Sequence, residues 1–244
     1  MNFFTKTPTA YTFNWFTTAH WTLIIISLFC AVGIAMIPIS SKKQYYLKKL
    51  LTIGLLLQVV TLYSWYIFTQ YSGLTQSLPL YGCRIATLSF VLGIFSSKPI
   101  FKLIGTFLGL YGSILALLLP NLDPFTPPHL TTITYIVGHV LLLCMSCYYL
   151  KYEIELFTRK NIRKAIIWIN IMFCMVWLID VLTQTNYSYF NESPIFPERF
   201  THIPPFIYGL IVLLVNNLFL FLTHLGVRKI QTKEKKGTLL AYKR

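Results

Sequence analysis

The sequence predicts an all-α fold, a polytopic membrane helix bundle of about seven transmembrane helices with its N-terminus outside and its C-terminus in the cytoplasm. Three observations carry this reading. Apolar residues make up 55% of the chain and charged residues only 11%, where a soluble domain carries roughly a quarter charged. Mean hydropathy is +0.62. Apolar runs of spanning length alternate with short basic loops. No polar stretch is long enough to fold separately in water, so residues 1–244 read as one integral membrane domain, with 226–244 as a basic cytoplasmic tail.

The spans follow in order. His20–Ile39 is preceded by a lone Lys6 and followed by Lys42 and Lys43, with no small-residue cleavage site, so it is a span and not a cleaved signal. Leu50–Thr69 follows Lys48 and Lys49. Leu80–Phe95 is short and holds Cys83 and Arg84, which suits either a short helix or a partly re-entrant segment. Phe101–Leu119 carries Gly105 and Gly109, a small-xxx-small face for close helix packing, with Gly112 nearby. Thr131–Leu150 and Ala165–Leu182 flank a strongly basic loop. Pro204–Leu225 holds Asn216 and Asn217, placed to hydrogen-bond across helices. Lys229 falls beyond that last span, which excludes a retinal protein.

Charge sets the orientation. Eighteen of the 21 Lys and Arg residues lie in the loops after spans one, three and five and in the tail, and only Lys6 and Arg199 lie on the other side. The positive-inside rule makes the basic side cytoplasmic. The same distribution explains the net charge of +14 through topology, so no nucleic-acid partner is predicted. The opposite loops, LPNLDPFTPPHL at Leu119–Leu130 and the aromatic, proline-rich Asn186–Pro205, read as stiff outer caps. The five cysteines all fall in apolar stretches, which argues against a disulfide framework, and the Cys144–Cys147 pair lacks the second pair a metal site needs.

Ionisable residues inside a bilayer are costly and are functional candidates by default. Arg84, His139 and Asp180 qualify, and Cys83 joins them as a nucleophile. At 1.5 Å per residue, these four lie about 16–22 Å above the cytoplasmic ends of their spans, in one layer. Thr132, Tyr135 and His139 share a helix face, and Gly138 leaves room beside it. Plainer roles exist for each: Arg84 and Asp180 as a buried ion pair tying spans three and six, His139 as a satisfied core histidine, Cys83 as a small buried hydrophobe. A thiol needs a base and a positive charge to react, and the constellation supplies both.

The motifs LPLYGCR (Leu78–Arg84), Gly138–His139 and NYSYF (Asn186–Phe190), followed by Pro194 and a last span, resemble the YwaF-type family of bacterial integral membrane proteins. That family is related to the vertebrate transmembrane ether-phospholipid acyltransferase. The resemblance implies a multi-pass protein of the bacterial plasma membrane whose cysteine takes an acyl chain from one phospholipid as a thioester and passes it to a lysolipid. Carried over, Cys83 is the nucleophile and His139 the base. NYSYF, with Asn186 and Tyr187, would line the outer mouth; the residue reading itself adds Arg84, Tyr135 and Asp180 as substrate-binding residues, with membrane lipids as partners and no metal or cofactor implied. The chain departs from the family at Tyr81, where a histidine often stands, and at Ile203–Tyr208 (IPPFIY), where a tryptophan-rich proline motif is usual. The competing expectation is a non-enzymatic lipid or small-molecule binding protein or transporter gated by an Arg84–Asp180 pair.

Overall fold

The structure is a computed structural model that describes residues 3–242 apart from 10, 12, 72–76 and 97, with side chains through residue 233. Lys243 and Arg244 of the basic tail lie outside the described residues. Among the described residues, seven α-helices run in the order α1 Thr18–Met36, α2 Ser41–Thr69, α3 Gly82–Phe95, α4 Pro99–Leu118, α5 Leu130–Tyr152, α6 Arg159–Thr183 and α7 Pro205–Tyr242. Six of them are long and apolar enough to cross a membrane, and α3, with 14 residues, is the exception. No strand occurs among the described residues.

At the basic end α2, α4, α5, α6 and α7 run past the apolar spans, α3 ends with its span at Phe95, and α1 stops at Met36, before Ile39. α2 starts at Ser41, nine residues before the apolar run, because nothing in the lysine-bearing segment forbids helix once the chain leaves the hydrocarbon. α6 starts at Arg159, where Thr158 accepts the amide of Asn161 at 3.2 Å as an N-cap. The segment expected as a tail continues α7 as helix to Tyr242. Pro99 opens α4 at its first turn, where a missing N–H costs nothing.

α4 and α5 form the centre. α4 packs against α3, α5, α6 and α7, while α5 packs against α1, α2 and α3 as well. The glycines of α4 permit this. A Cβ on Gly105 would lie 2.7–2.9 Å from three ring carbons of Phe90 on α3, and one on Gly109 would lie 2.8 Å from Ser146 Oγ on α5. The outer helices turn apolar side chains outward: Phe29, Phe68 and Leu182 are 79%, 86% and 73% exposed. In water such a surface would aggregate, whereas lipid covers it.

Each end of the bundle is tied differently. At the basic end, Glu153 accepts Lys48 of α2 and Lys102 of α4 (3.3 Å for the latter), and both ammonium groups lie over the Tyr149 ring. At the other end the N-terminal segment lies across the cap loop. Thr9 N–H donates to Pro124 O (2.7 Å), Leu130 N–H to Phe3 O (3.1 Å), His129 Nε2 to Thr5 O (3.1 Å) and Trp15 Nε1 to Pro120 O (3.3 Å). His20 pairs with Leu117 O at 2.8 Å through Nε2 and accepts Phe16 N–H through Nδ1.

Candidate functional site

The site is built where two loop motifs meet at the start of α3. Ser188 Oγ accepts the first helical amide, Gly82 N–H, at 3.0 Å and donates to Leu80 O at 2.9 Å. Leu78 N–H donates to the Tyr187 hydroxyl at 3.1 Å, and the Tyr81 ring packs on Tyr187 and Tyr189. LPLYGCR and NYSYF are therefore two halves of one structure. Ser188 and Tyr189 hold left-handed backbone, φ 52° and 62°, a strain of about 1–3 kcal/mol per residue that the surrounding contacts must offset.

Asp180 serves this junction. Wholly buried at the end of α6, it accepts Thr185 Oγ1–H and Tyr187 N–H, each at 2.7 Å, through Oδ1. The ion pair expected between Arg84 and Asp180 does not form; the two ion pairs found among the described residues both use Glu153. Arg84 turns the other way, donating from Nη1 to Leu78 O (3.1 Å) and from Nη2 to the Tyr66 hydroxyl (2.9 Å). Its guanidinium carbon lies 4.9–5.7 Å from the ring centres of Tyr81, Tyr66 and Tyr63, a cation–π cage. The carboxylate that shares its field is Asp123 of the cap loop. Burial raises the Asp123 pKa from its ordinary value, and Arg84, a hydrogen bond from Thr131 and His129 oppose that rise.

Cys83, in the first turn of α3, and His139, midway along α5, line the same cavity, with Arg84 next to Cys83 in the chain. His139 Nδ1 sits 2.7 Å from Tyr135 O. A carbonyl oxygen only accepts, so Nδ1 carries a proton, and Nε2 is the nitrogen left to act as a general base. Tyr135 is anchored by its hydroxyl to Ala116 O at 3.1 Å, which fixes the face from which His139 projects.

Cys83, Arg84, Tyr135 and His139 all line one cavity of about 520 Å³, within the size range of small-ligand pockets. Tyr66, Asn121, Asp123 and Tyr189 are among its polar lining residues, and Leu108, Leu115, Leu142 and Phe173 among its apolar ones. Several expected contributors are placed elsewhere. Asp180, Asn186 and Tyr187 do not line the cavity; they build its wall. Asn186 is occupied within its own loop, accepting Asn191 N–H and Glu192 N–H at 3.0 and 3.1 Å. Thr131, not Thr132, joins Tyr135 and His139 on the cavity face of α5. Gly138 does line the cavity, and the room expected beside it, for a neighbour or a substrate chain, is taken by a neighbour, the side chain of Gln58, 3.0 Å from where a Cβ would stand. Asp123 is the residue sequence reasoning passed over. A lone carboxylate, one of seven acidic residues in the chain, in a proline-stiffened loop was the available signal. Among the described residues, no group of three or more His, Cys, Asp or Glu side chains is arranged to hold a metal ion.

Fold and site together define a multi-pass helical membrane protein with a tyrosine-lined internal cavity. The chain belongs to the TMEM164 family, whose sequence model matches residues 15–225. No curated protein and no solved structure gives a significant match.

Proposed function

We propose that this protein is a membrane-embedded lipid acyltransferase, oriented with its N-terminus outside, that works through Cys83 at the outer leaflet. The observation that carries the reading is that Cys83, His139 and Arg84 line one cavity. The resemblance of LPLYGCR, Gly138–His139 and NYSYF to those of the YwaF-type proteins and their phospholipid-acylating relative points the same way.

His139 Nε2 takes the proton of Cys83 as Sγ attacks the ester carbonyl of a phospholipid. The carbonyl oxygen becomes an oxyanion beside the positive end of α3 and the Arg84 guanidinium. Collapse breaks the ester bond, His139 returns the proton to the departing lysolipid oxygen, and the acyl group remains on Sγ as a thioester. A second lysolipid hydroxyl, deprotonated by His139, attacks that thioester; its collapse transfers the acyl chain and restores the thiol. Arg84, held rigidly by Leu78 O and Tyr66, supplies the fixed positive charge for a lipid phosphate. Tyr135 positions His139 through its carbonyl.

Mass spectrometry of the purified protein tests this. A hydroxylamine-labile acyl group on Cys83 is expected, absent from Cys83→Ser and reduced in His139→Ala. A native protein carrying no such group during lipid turnover would exclude the thioester route and leave a lipid-binding cavity on this fold.

A further inference from the structure

The three glycines of α4 do different things. Gly105 and Gly109 each stand where a Cβ would collide with a neighbouring helix, whereas a Cβ on Gly112 would meet nothing within 4 Å. A glycine inside a helix costs about 0.8–1.0 kcal/mol relative to alanine, and at Gly112 no packing contact offsets that cost. What the missing side chain leaves is space, because Gly112 lines the cavity. It also lies level with the reactive pair. Counted from the basic ends of α3, α5 and α4, Cys83, His139 and Gly112 all stand about 18–20 Å along their helices.

The wall around Gly112 is apolar. Leu108 and Leu115, one turn to either side, face the same cavity, with Leu142 opposite on α5. Two polar side chains of the lining are engaged by protein: the Tyr111 hydroxyl donates to Asn216 Oδ1 at 3.0 Å, and Gln58 donates to Thr134 O at 3.2 Å. The three leucines offer a ligand dispersion contact, while Arg84 and Asp123 carry the charge of the same cavity.

We infer that the α4 wall around Gly112 is the subsite for a single hydrocarbon chain, and that Gly112 limits which chains can pass the Cys83 sulfur. The inference rests on the acyl-transfer reading for its biological meaning, but chain access to Cys83 is measurable without any transfer. N-alkylmaleimides add covalently to a thiol: the sulfur bonds to one alkene carbon and the thiol proton ends on the other, with no further reactant. The protein in nanodiscs is treated with N-ethylmaleimide or N-dodecylmaleimide, and labelling of the Cys83 peptide is timed by mass spectrometry.

Both reagents are expected to label the native protein. Gly112→Leu is expected to slow the dodecyl reagent about tenfold or more relative to the ethyl reagent, since the cost of overpacking a filled site corresponds to about a decade or more in rate. Gly112→Ala should fall between the two. The ethyl rate doubles as a folding control, because an unfolded variant would expose Cys83 to both reagents. Equal slowing of both reagents, or an unchanged dodecyl-to-ethyl ratio in Gly112→Leu, would overturn the chain subsite. Those results would leave the acyl-transfer reading to stand or fall on its own thioester measurement.

Discussion

Arg84 donates to the Tyr66 hydroxyl at 2.9 Å and sits 5.3 Å from the centre of the same ring. Tyr66→Phe removes the hydroxyl and keeps the ring, so it deletes the hydrogen bond while leaving the cation–π contact. Arg84→Gln removes the charge. A hydrogen bond to a charged group contributes about 1.5–3 kcal/mol, so the double variant should be less destabilised than the sum of the singles by about that amount. For a chain of this size, 1 kcal/mol shifts the melting midpoint by about 2–4 °C, giving a non-additivity of roughly 3–12 °C. The comparison arm is Arg84→Gln with Asp180→Asn, which keeps an acceptor for Thr185 and Tyr187. That pair should add to within about 0.5 kcal/mol. Thermal unfolding in detergent measures both cycles. A coupling to Asp180 as large as that to Tyr66 would restore the ion pair and refute the tyrosine cage as the partner of Arg84.

Gly105→Ala should lower stability by about 1–3 kcal/mol, because its Cβ would press on the buried Phe90 ring, while Gly112→Ala should be neutral or stabilising by up to about 1 kcal/mol; thermal unfolding of the pair decides it. Burial lowers the pKa of His129, which accepts Thr131 N–H and donates to Thr5 O. The unfolded chain therefore binds that proton more readily, so the His129 contribution is intact above its unfolded pKa of about 6.5 and is lost as pH falls through and below it. Asp123, raised by burial, contributes with the opposite sign, so the measurement is the difference in melting midpoint between pH 7.5 and 5 for native protein and His129→Gln; an equal pH response in both would refute the role of His129. Reporter fusions after Asp123 and after Lys236 should read outside and inside, respectively.

The helices were legible because hydrophobicity and length are local properties, and so was the small-residue face at Gly105 and Gly109. Helix ends at the basic side were not, since hydropathy marks where the bilayer stops and not where hydrogen bonding stops. Depth counting put Cys83 and His139 in one layer, and both line the same cavity. The same counting put Arg84 and Asp180 together and failed, because depth says nothing about azimuth: Arg84 points towards α2, where Tyr63 and Tyr66 wait, and Asp180 folds back on its own following turn. Asp123 was invisible to a search confined to spans, because it reaches the cavity from a loop.

The short α3 explains why the loops matter. Its 14 residues extend about 21 Å, well short of the roughly 30 Å hydrocarbon core, so the helix cannot reach from one interface to the other. Its first amides then open at depth, where unpaired backbone groups are expensive unless protein covers them. Ser188 and Tyr187 provide that cover, meeting Gly82 N–H, Leu80 O and Leu78 N–H, and Asp180 anchors the turn that presents them. The consequence is a helix N-terminus, with its positive dipole end and a cysteine in its first turn, that lines the cavity. A full-length third span would carry Cys83 in mid-helix, with every neighbouring amide already bonded. Shortening the helix is what frees the backbone and the space, and the strained NYSYF turn is what makes that shortening tolerable.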